Sequence, residues 1–285
     1  MRRRLYAAAF AGAVMLAAPE AFSSAAALQA RHAELRQALA RNAFERPLHL
    51  DSRETADSVF GEIVAVIATP FETARATLAM PGPWCEILIL HLNTKHCRED
   101  SGSVPQRLDV IIGRKFDQPL EDAHRLSFSF RADAATAGYL RTELSADAGP
   151  LGTRDYRIVL DAVPAGPGST VLRISYSYGF GIASRLALGA YLATAGRDKV
   201  GFTVTGRENG REVLIGGMRG LVERNTMRYH LAIEAFLGAQ SLPREARREK
   251  SLRDWFAASA RHPRQLQEIS QEEYLAMKRR ESWRP

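Results

Sequence analysis

The sequence predicts an α+β fold in which one long helix lies across an antiparallel β-sheet, and two observations lead to this prediction. The first is residues 216–238, where apolar side chains recur every three or four positions and therefore share one face of a helix. The second is the region before it, where short segments rich in apolar residues, several of them alternating with polar ones, are separated by turn formers. A sheet with one polar and one apolar face is usually antiparallel. Because an apolar face must be buried, the long helix is expected to cover it.

The chain begins with the parts of a secretory signal. Basic residues at positions 2–4 precede an apolar run at 5–18, and small residues at 25–27 suit a cleavage site near Ala27. This pattern predicts an exported, periplasmic protein from which residues 1–27 are removed. An uncleaved membrane anchor is the alternative, but the apolar run is shorter than the ~20 residues that a bilayer crossing needs.

The next part of the chain is predicted to pass from an outer helix into the sheet. Residues 28–57 are expected to form an N-terminal helix over 28–44 and then a polar connector. The elements predicted after it are a strand at 59–68, a helix at 71–80 that follows Pro70, a second short helix around Trp84, and a strand at 87–97. In that last strand His91, Asn93 and Lys95 would lie on one face.

Further strands, an inserted helix and a hairpin complete the predicted sheet region. The strands are predicted at residues 107–115, 125–132, 139–147, 155–163 and 170–178, the last with Tyr176 and Tyr178 on one face. Residues 182–194 predict an unusually apolar helix, and Asn209-Gly210 indicates a hairpin between residues 199–205 and 211–215. From residue 239 onward the chain is charged, which predicts a tail with one or two amphipathic helices.

The predicted long helix has two polar residues, Asn225 and Tyr229, on its apolar face. Its remaining surface is expected to carry the charged residues Arg219, Glu223, Arg224, Arg228 and Glu234. Residues 223–225 and 154–157 are the densest charge clusters in the body, and we expect an arginine of one to pair with the acid of the other. The alternative is that Arg154 holds an anionic head group.

The only two cysteines, Cys85 and Cys97, are predicted to form a disulfide if the protein is exported. A zinc site or a redox pair is less favoured, because the sequence has no Cys-x-x-Cys and neighbouring histidines would alternate in direction on a strand. Two unpaired buried thiols are a further alternative. Trp84 is expected to pack around the disulfide.

Charge and motifs argue against several functional classes. The formal net charge is +7, but the excess lies in the leader and the tail, and the body has no basic stripe with interleaved aromatic residues. Nucleic acid is therefore not an expected partner. The sequence contains no Gly-x-Ser-x-Gly, His-Glu-x-x-His or Walker motif. The partial dinucleotide pattern at residues 179–184 lacks its last glycine and lies among hairpins, so no cofactor or metal is expected.

The predicted order of elements resembles the helix-grip architecture of the SRPBCC superfamily, which includes START lipid-transfer domains, birch-pollen-allergen-like proteins and polyketide cyclases. The shared order is a strand, two short helices, a run of antiparallel strands and a long C-terminal helix, and it spans residues 58–238. Residues 84–97, 149–158 and 217–233 also look like those of a group of exported proteobacterial proteins within that superfamily. The helix and hairpin at residues 182–215 and the extensions at 28–57 and 239–285 depart from the simple pattern.

The resemblance implies a curved sheet wrapped around the long helix, enclosing a cavity for a lipid, sterol-like or aromatic molecule. The residues expected to give such a ligand polar contacts are His91, Asn93, Lys95, Tyr176, Tyr178, Asn225 and Tyr229. Taken singly, each of them is better explained by a bond to nearby backbone or by contact with solvent, whereas the set as a whole favours a cavity.

Three functional hypotheses follow from the sequence. The first is a periplasmic carrier or binding protein for a hydrophobic molecule, with peripheral contact between an anionic membrane and the apolar helix at 182–194 and the basic tail. The second is a cyclase- or hydrolase-like enzyme on the same scaffold, with His91 as general base and Tyr229 or Lys95 polarising a carbonyl group. The third is an interaction module that uses its tail to bind a protein.

Overall fold

A computed structural model describes residues 24–194 and 199–282 of the chain. Most of the predicted signal peptide lies outside these residues. The predicted cleavage site near Ala27 falls in the first turn of α1 (Ala25–Glu34), where the Ser24 hydroxyl accepts a hydrogen bond from the Ala27 N–H at 3.2 Å.

The chain alternates between one large sheet and the helices that cover it. The strands are β1 (Leu48–Glu54), β2 (Ser58–Ile67), β3 (Thr94–Asp100), β4 (Arg107–Ile112), β5 (His124–Thr136), β6 (Tyr139–Ala148), β7 (Thr153–Gly166), β8 (Ser169–Phe180), β9 (Val204–Glu208) and β10 (Arg211–Leu214). The helices after α1 are α2 (Arg36–Ala40), α3 (Phe71–Leu78), α4 (Pro81–Leu88), α5 (Ile182–Ala193), α6 (Gly217–Leu237), α7 (Arg244–Ala260), α8 (Pro263–Leu266) and α9 (Gln271–Ser282).

The large sheet has eight antiparallel strands in the order β1-β2-β8-β7-β6-β5-β4-β3. The strands β3 to β8 form a meander, and β8 then pairs with β2, so the beginning and the end of the sheet region meet. The long helix α6 packs across the face formed by β1, β2 and β8. This arrangement confirms the predicted α+β helix-grip fold. The separate β9–β10 hairpin turns at Asn209 and Gly210, where a hairpin was predicted, and both residues have positive φ.

Three predictions of local structure are wrong. Residues 87–93 complete α4 and a following turn, and the strand begins only at Thr94. Apolar residues follow one another in that segment and are buried from Ile87 to Leu90, so periodicity could not distinguish a helix end from a strand. Residues 48–54 form β1, not a connector, and the helix predicted at 28–44 is split at Leu35 into α1 and α2.

The charged side of α6 is not a solvent-exposed surface. Glu223, Arg224 and Arg228 are fully buried, because the segment before α6 and the C-terminal helices cover that side. Glu223 accepts hydrogen bonds from the Ser52 hydroxyl at 2.6 Å and from the Thr203 hydroxyl at 2.7 Å. The pairing expected between the two charge clusters does not occur at Arg154, whose ion pairs are with Asp155 and Asp57.

The predicted tail contains helices α7, α8 and α9 and is part of the packed structure. Trp255 and Tyr274 are buried and their rings stack at 4.9 Å. The Trp255 indole N–H donates to the Arg228 carbonyl at 3.1 Å, and the Tyr274 hydroxyl donates to the Leu90 carbonyl at 2.9 Å. The tail is therefore joined both to α6 and to the turn after α4.

The predicted disulfide between Cys85 and Cys97 is confirmed. It joins α4 to β3 across a Cα–Cα distance of 5.2 Å. The neighbouring Trp84 is buried, and its indole N–H donates to the Leu78 carbonyl at 2.9 Å, as expected of a packing residue. None of the helices formed by the described residues combines the length and the apolar character that crossing a membrane requires.

Candidate functional site

A cavity of about 740 Å³ lies between the sheet and α6. Its walls come from the turn after α4, the loop after β4, strands β7 and β8, and helices α5 and α6. Two large apolar side chains at its edge, Phe116 and Leu151, are 54% and 55% exposed. The interior is therefore not filled by side chains, and its entrance has an apolar rim.

Four tyrosines form one wall of the cavity. Tyr176 and Tyr178 are two positions apart on β8 and so face the same side, and Tyr156 comes from the neighbouring β7. The ring centroids are 5.2 Å apart for Tyr156 and Tyr178, and 5.3 Å apart for Tyr176 and Tyr229 of α6. Burial raises the pKa of each of the four hydroxyls, so all of them stay protonated at neutral pH.

His91 supplies a polar group beside Tyr229, where the chain turns from α4 into β3. Its side chain is buried, and its ring centroid is 5.1 Å from that of Tyr229. Burial, together with the charges of Arg228, Lys278 and Lys115, lowers the pKa of His91. The imidazole is therefore neutral.

The tautomer of His91 follows from its one hydrogen bond of normal geometry. Its Nδ1 accepts from the Asn93 backbone N–H at 3.1 Å, so the proton of the neutral ring lies on Nε2. Asn225 lies beside the ring, but Nε2 makes no hydrogen bond of normal length and angle within the part of the chain that the structure describes. His91 thus offers the cavity a buried N–H donor.

Basic residues gather at the same end of the cavity. The carboxylate of Glu268, which lines it, is contacted by Lys115 at 2.6 Å, by Arg228 at 2.9 Å and by Lys199 at 3.5 Å. Burial and the charge of Arg228 lower the pKa of Lys115 to about 8, although Glu268 opposes the shift. Burial by itself would raise the pKa of Glu268, but Lys115 and Arg228 lower it.

The structure brings six of the seven predicted site residues to this cavity: His91, Asn93, Tyr176, Tyr178, Asn225 and Tyr229. Their roles toward a ligand stay predictions. Asn93 also has a structural contact, since its side-chain amide donates to the Gly113 carbonyl at 2.6 Å.

Lys95 does not line the cavity. It is fully buried elsewhere, where its Nζ donates to Glu281 at 3.0 Å and to the Phe116 carbonyl at 3.0 Å. The expected shared face of His91, Asn93 and Lys95 is wrong because the first two precede β3, and a register irregularity follows Thr94.

Sequence reasoning missed Tyr156, Lys115 and Glu268 as cavity residues. Tyr156 could have been found, because its strand neighbours the one that carries Tyr176 and Tyr178 in a meander. Lys115 is the last residue of a strand predicted at 107–115, and no sequence pattern indicated which way its side chain points. Glu268 belongs to the tail, and only the docking of the tail brings it to the cavity. Among the described residues, no group of three histidine, cysteine or acidic side chains is placed to hold a metal ion.

No protein-family model and no curated protein sequence matches this chain. One similar solved structure is norcoclaurine synthase from Thalictrum flavum with a transition-state analogue. The similarity covers 50% of this chain and 90% of that protein's chain, with 16% identity and a TM-score of 0.37. Human StAR-related lipid transfer protein 5 is similar to 58% of this chain over 87% of its own, with 10% identity and a TM-score of 0.32. A Thermobifida fusca protein solved by NMR is similar to 62% of this chain over 91% of its own, with 12% identity and a TM-score of 0.33.

Proposed function

We propose that the protein is a periplasmic binding or carrier protein for a hydrophobic small molecule, which it holds between the sheet and α6. The observation that carries this proposal is the cavity of about 740 Å³ with its wall of four tyrosines. A lipid, a sterol-like molecule or an aromatic compound would fit this combination of volume and lining. The tyrosine rings would contact the apolar body of the ligand, and the buried polar groups would orient one end of it.

The position of the His91 proton favours binding over catalysis. A general base must accept a proton, but the Nε2 atom of the neutral imidazole already carries one, and Nδ1 is occupied by the Asn93 N–H. Of the two groups proposed to polarise a carbonyl group, Lys95 lies outside the cavity and Tyr229 lines it. His91 is suited instead to donate a hydrogen bond to an oxygen atom of the ligand.

We propose that ligand exchange occurs at an anionic membrane surface through α5. Ile182 and Leu186 of this helix are 84% and 71% exposed, while Leu188 lines the cavity. The helix therefore joins exposed apolar side chains to the interior, as an interfacial helix would. The basic tail is less suited to this contact, because several of its basic side chains pair with acids, such as Arg253 with Glu249 and Arg280 with Asp117.

The membrane contact predicts a specific loss of vesicle binding. The double variant Ile182→Asn and Leu186→Asn should sediment at least about fivefold less with phosphatidylglycerol vesicles than the wild type, since partition depends on buried apolar area. Met80→Asn, which removes an exposed apolar side chain on α3's C-terminal side, serves as the control. Equal sedimentation of all three proteins would refute the role of α5.

Cavity binding can be tested with two leucines of one helix. In Leu188→Trp the added ring would enter the cavity, whereas in Leu186→Trp it would lie in solvent. We expect the neutral fluorophore N-phenyl-1-naphthylamine to bind the wild type and Leu186→Trp alike, and to bind Leu188→Trp about tenfold or more weakly. Fluorescence titration measures this difference.

Native mass spectrometry with organic extraction would complement the titration. A hydrophobic molecule that co-purifies with the wild type and with Leu186→Trp, but not with Leu188→Trp, would support the proposal and reveal the ligand class. A wild-type protein that neither retains a molecule nor binds the fluorophore would refute it.

A further inference from the structure

Among the residues that the structure describes, positive charges outnumber negative ones at the polar end of the cavity. One carboxylate, that of Glu268, is surrounded by three cations, Lys115, Lys199 and Arg228. Lys115 lines the cavity, and its side chain is only 16% exposed. At the exposed rim, Arg114 and Asp122 carry opposite charges, so they do not offset the surplus inside.

We propose that the ligand is a carboxylic acid with an apolar body, and that its carboxylate lies between His91 and Lys115. This assignment rests on the proposed function, because it names the class of molecule that the cavity would hold. The apolar body would run along the tyrosine wall toward the rim at Phe116 and Leu151.

The hydrogen-bonding groups at this end call for an acceptor. His91 is only 3% exposed. Its Nε2–H makes no hydrogen bond of normal geometry to the described residues. A buried donor of this kind is unfavourable until an acceptor reaches it. Asn225, beside the ring, accepts from Arg228 through its Oδ1 at 3.3 Å, and Glu268 accepts from Lys115 at 2.6 Å.

The charge distinguishes a carboxylate from other acceptors. A ketone or an ester could accept from His91, but it would bring no negative charge to Lys115. An amine would add to that surplus. Of the three cations around Glu268 only Lys115 lines the cavity, so one negative charge can be contacted directly, which suits a carboxylate better than a phosphate dianion.

A matched series of ligands tests the assignment. Dodecanoic acid, methyl dodecanoate, dodecylamine and dodecyl phosphate are each used to displace N-phenyl-1-naphthylamine from the full-length protein. We expect the acid to bind about tenfold or more tightly than the ester, because a charge-assisted hydrogen bond is made only by the acid. The amine should bind most weakly.

Variants of the two lysines that contact Glu268 test which of them gives the preference for the acid over the ester. Lys115→Met should lower the affinity for the acid about tenfold while leaving the affinity for the ester unchanged. Lys115→Arg keeps the charge and should keep the preference for the acid. Lys199→Met is the matched control, because it removes a cation from the same carboxylate without changing a residue that lines the cavity. It should leave the ratio of acid to ester affinity within about twofold.

The outcomes separate this inference from the proposed function. If the acid and the ester displace the fluorophore equally well, or dodecyl phosphate binds more tightly than the acid, the carboxylate assignment is wrong and the cavity remains a binding site. If Lys115→Met retains the preference for the acid while thermal unfolding shows that it is folded, Lys115 is not the recognising group and the assignment is again wrong. If no fluorophore binds at all, the proposed function itself fails.

Discussion

A chain ending at residue 243 is expected to lose its cooperative fold. The deletion removes α7, α8 and α9, and with them the buried side chains Leu252, Trp255, Leu266, Tyr274, Leu275 and Met277. Each such side chain contributes roughly 1.5–3 kcal/mol by burial, so the loss of all six amounts to about 9–18 kcal/mol. A total free energy of unfolding is about 5–15 kcal/mol, so the shortened chain would have little or none left.

Circular dichroism and urea titration of the purified proteins measure this effect. The full chain should unfold in one cooperative transition, and the shortened chain should show none. Co-expression of residues 244–285 as a separate polypeptide is the matched control, because it restores the missing contacts without restoring the covalent link. The sequence led us to treat residues 58–238 as a domain with a separate tail. A cooperative transition of the shortened chain would support that boundary and contradict the expectation here.

The fold could be predicted to the extent that it depends on local pattern. The alternation along β8 and the helical period of α6 can be identified from neighbouring residues, and the Asn209-Gly210 pair by itself favours a hairpin turn. The disulfide was predictable because only one pairing of two cysteines exists. The segment at residues 87–93 was not predictable, because it is apolar without a period and the packing around it decides its conformation.

The site was predictable in its aromatic part and not in its charged part. Tyr176, Tyr178 and Tyr229 follow from periodicity, since the face of an element that packs inward can be inferred from its apolar neighbours. The charged residues of α6 were assigned to the surface by the same logic, and this was wrong at Glu223 and Arg228. Those residues are buried by the parts of the chain that contain their partners, Thr203 and Glu268. Such a tertiary contact cannot be predicted from a local sequence pattern.

Glu281→Gln is expected to destabilise the protein by about 3–5 kcal/mol, because it leaves two buried lysines without their shared acid. Glu281 accepts from Lys95 at 3.0 Å and from Lys278 at 2.7 Å, and all three side chains are at most 2% exposed. Lys278 also donates to the carbonyls of His91 and Thr94 at 2.7 Å each. The cluster therefore fixes α9 to the turn that positions His91, so the same variant should also weaken binding in the cavity.

We expect Glu281→Gln to destabilise the protein through the charge of the two lysines and not through a loss of packing. The pH dependence of the free energy of unfolding distinguishes these two causes. Burial lowers the pKa of Lys278 to about 8 although Glu281 raises it, whereas an unfolded lysine titrates near 10.5. Between these values the unfolded chain binds more protons, so the contribution of Lys278 to stability rises with pH. Without Glu281 the pKa of Lys278 falls further, and the variant should gain more stability than the wild type as the pH rises from 7 to 10.

Urea titrations of the wild type and Glu281→Gln at pH 7 and at pH 10 measure the effect. The difference in the free energy of unfolding should shrink at pH 10, because removing the proton of the buried Lys278 costs less as the pH approaches the pKa of an unfolded lysine. Lys278→Met is the matched control, since it leaves Lys95 and Glu281 as a one-to-one pair and should cost less than Glu281→Gln. Adding Lys278→Met to Glu281→Gln should cost less than the two single changes together, because the second change removes one of the stranded charges. A loss that is the same at both pH values would show that Glu281 acts through packing alone.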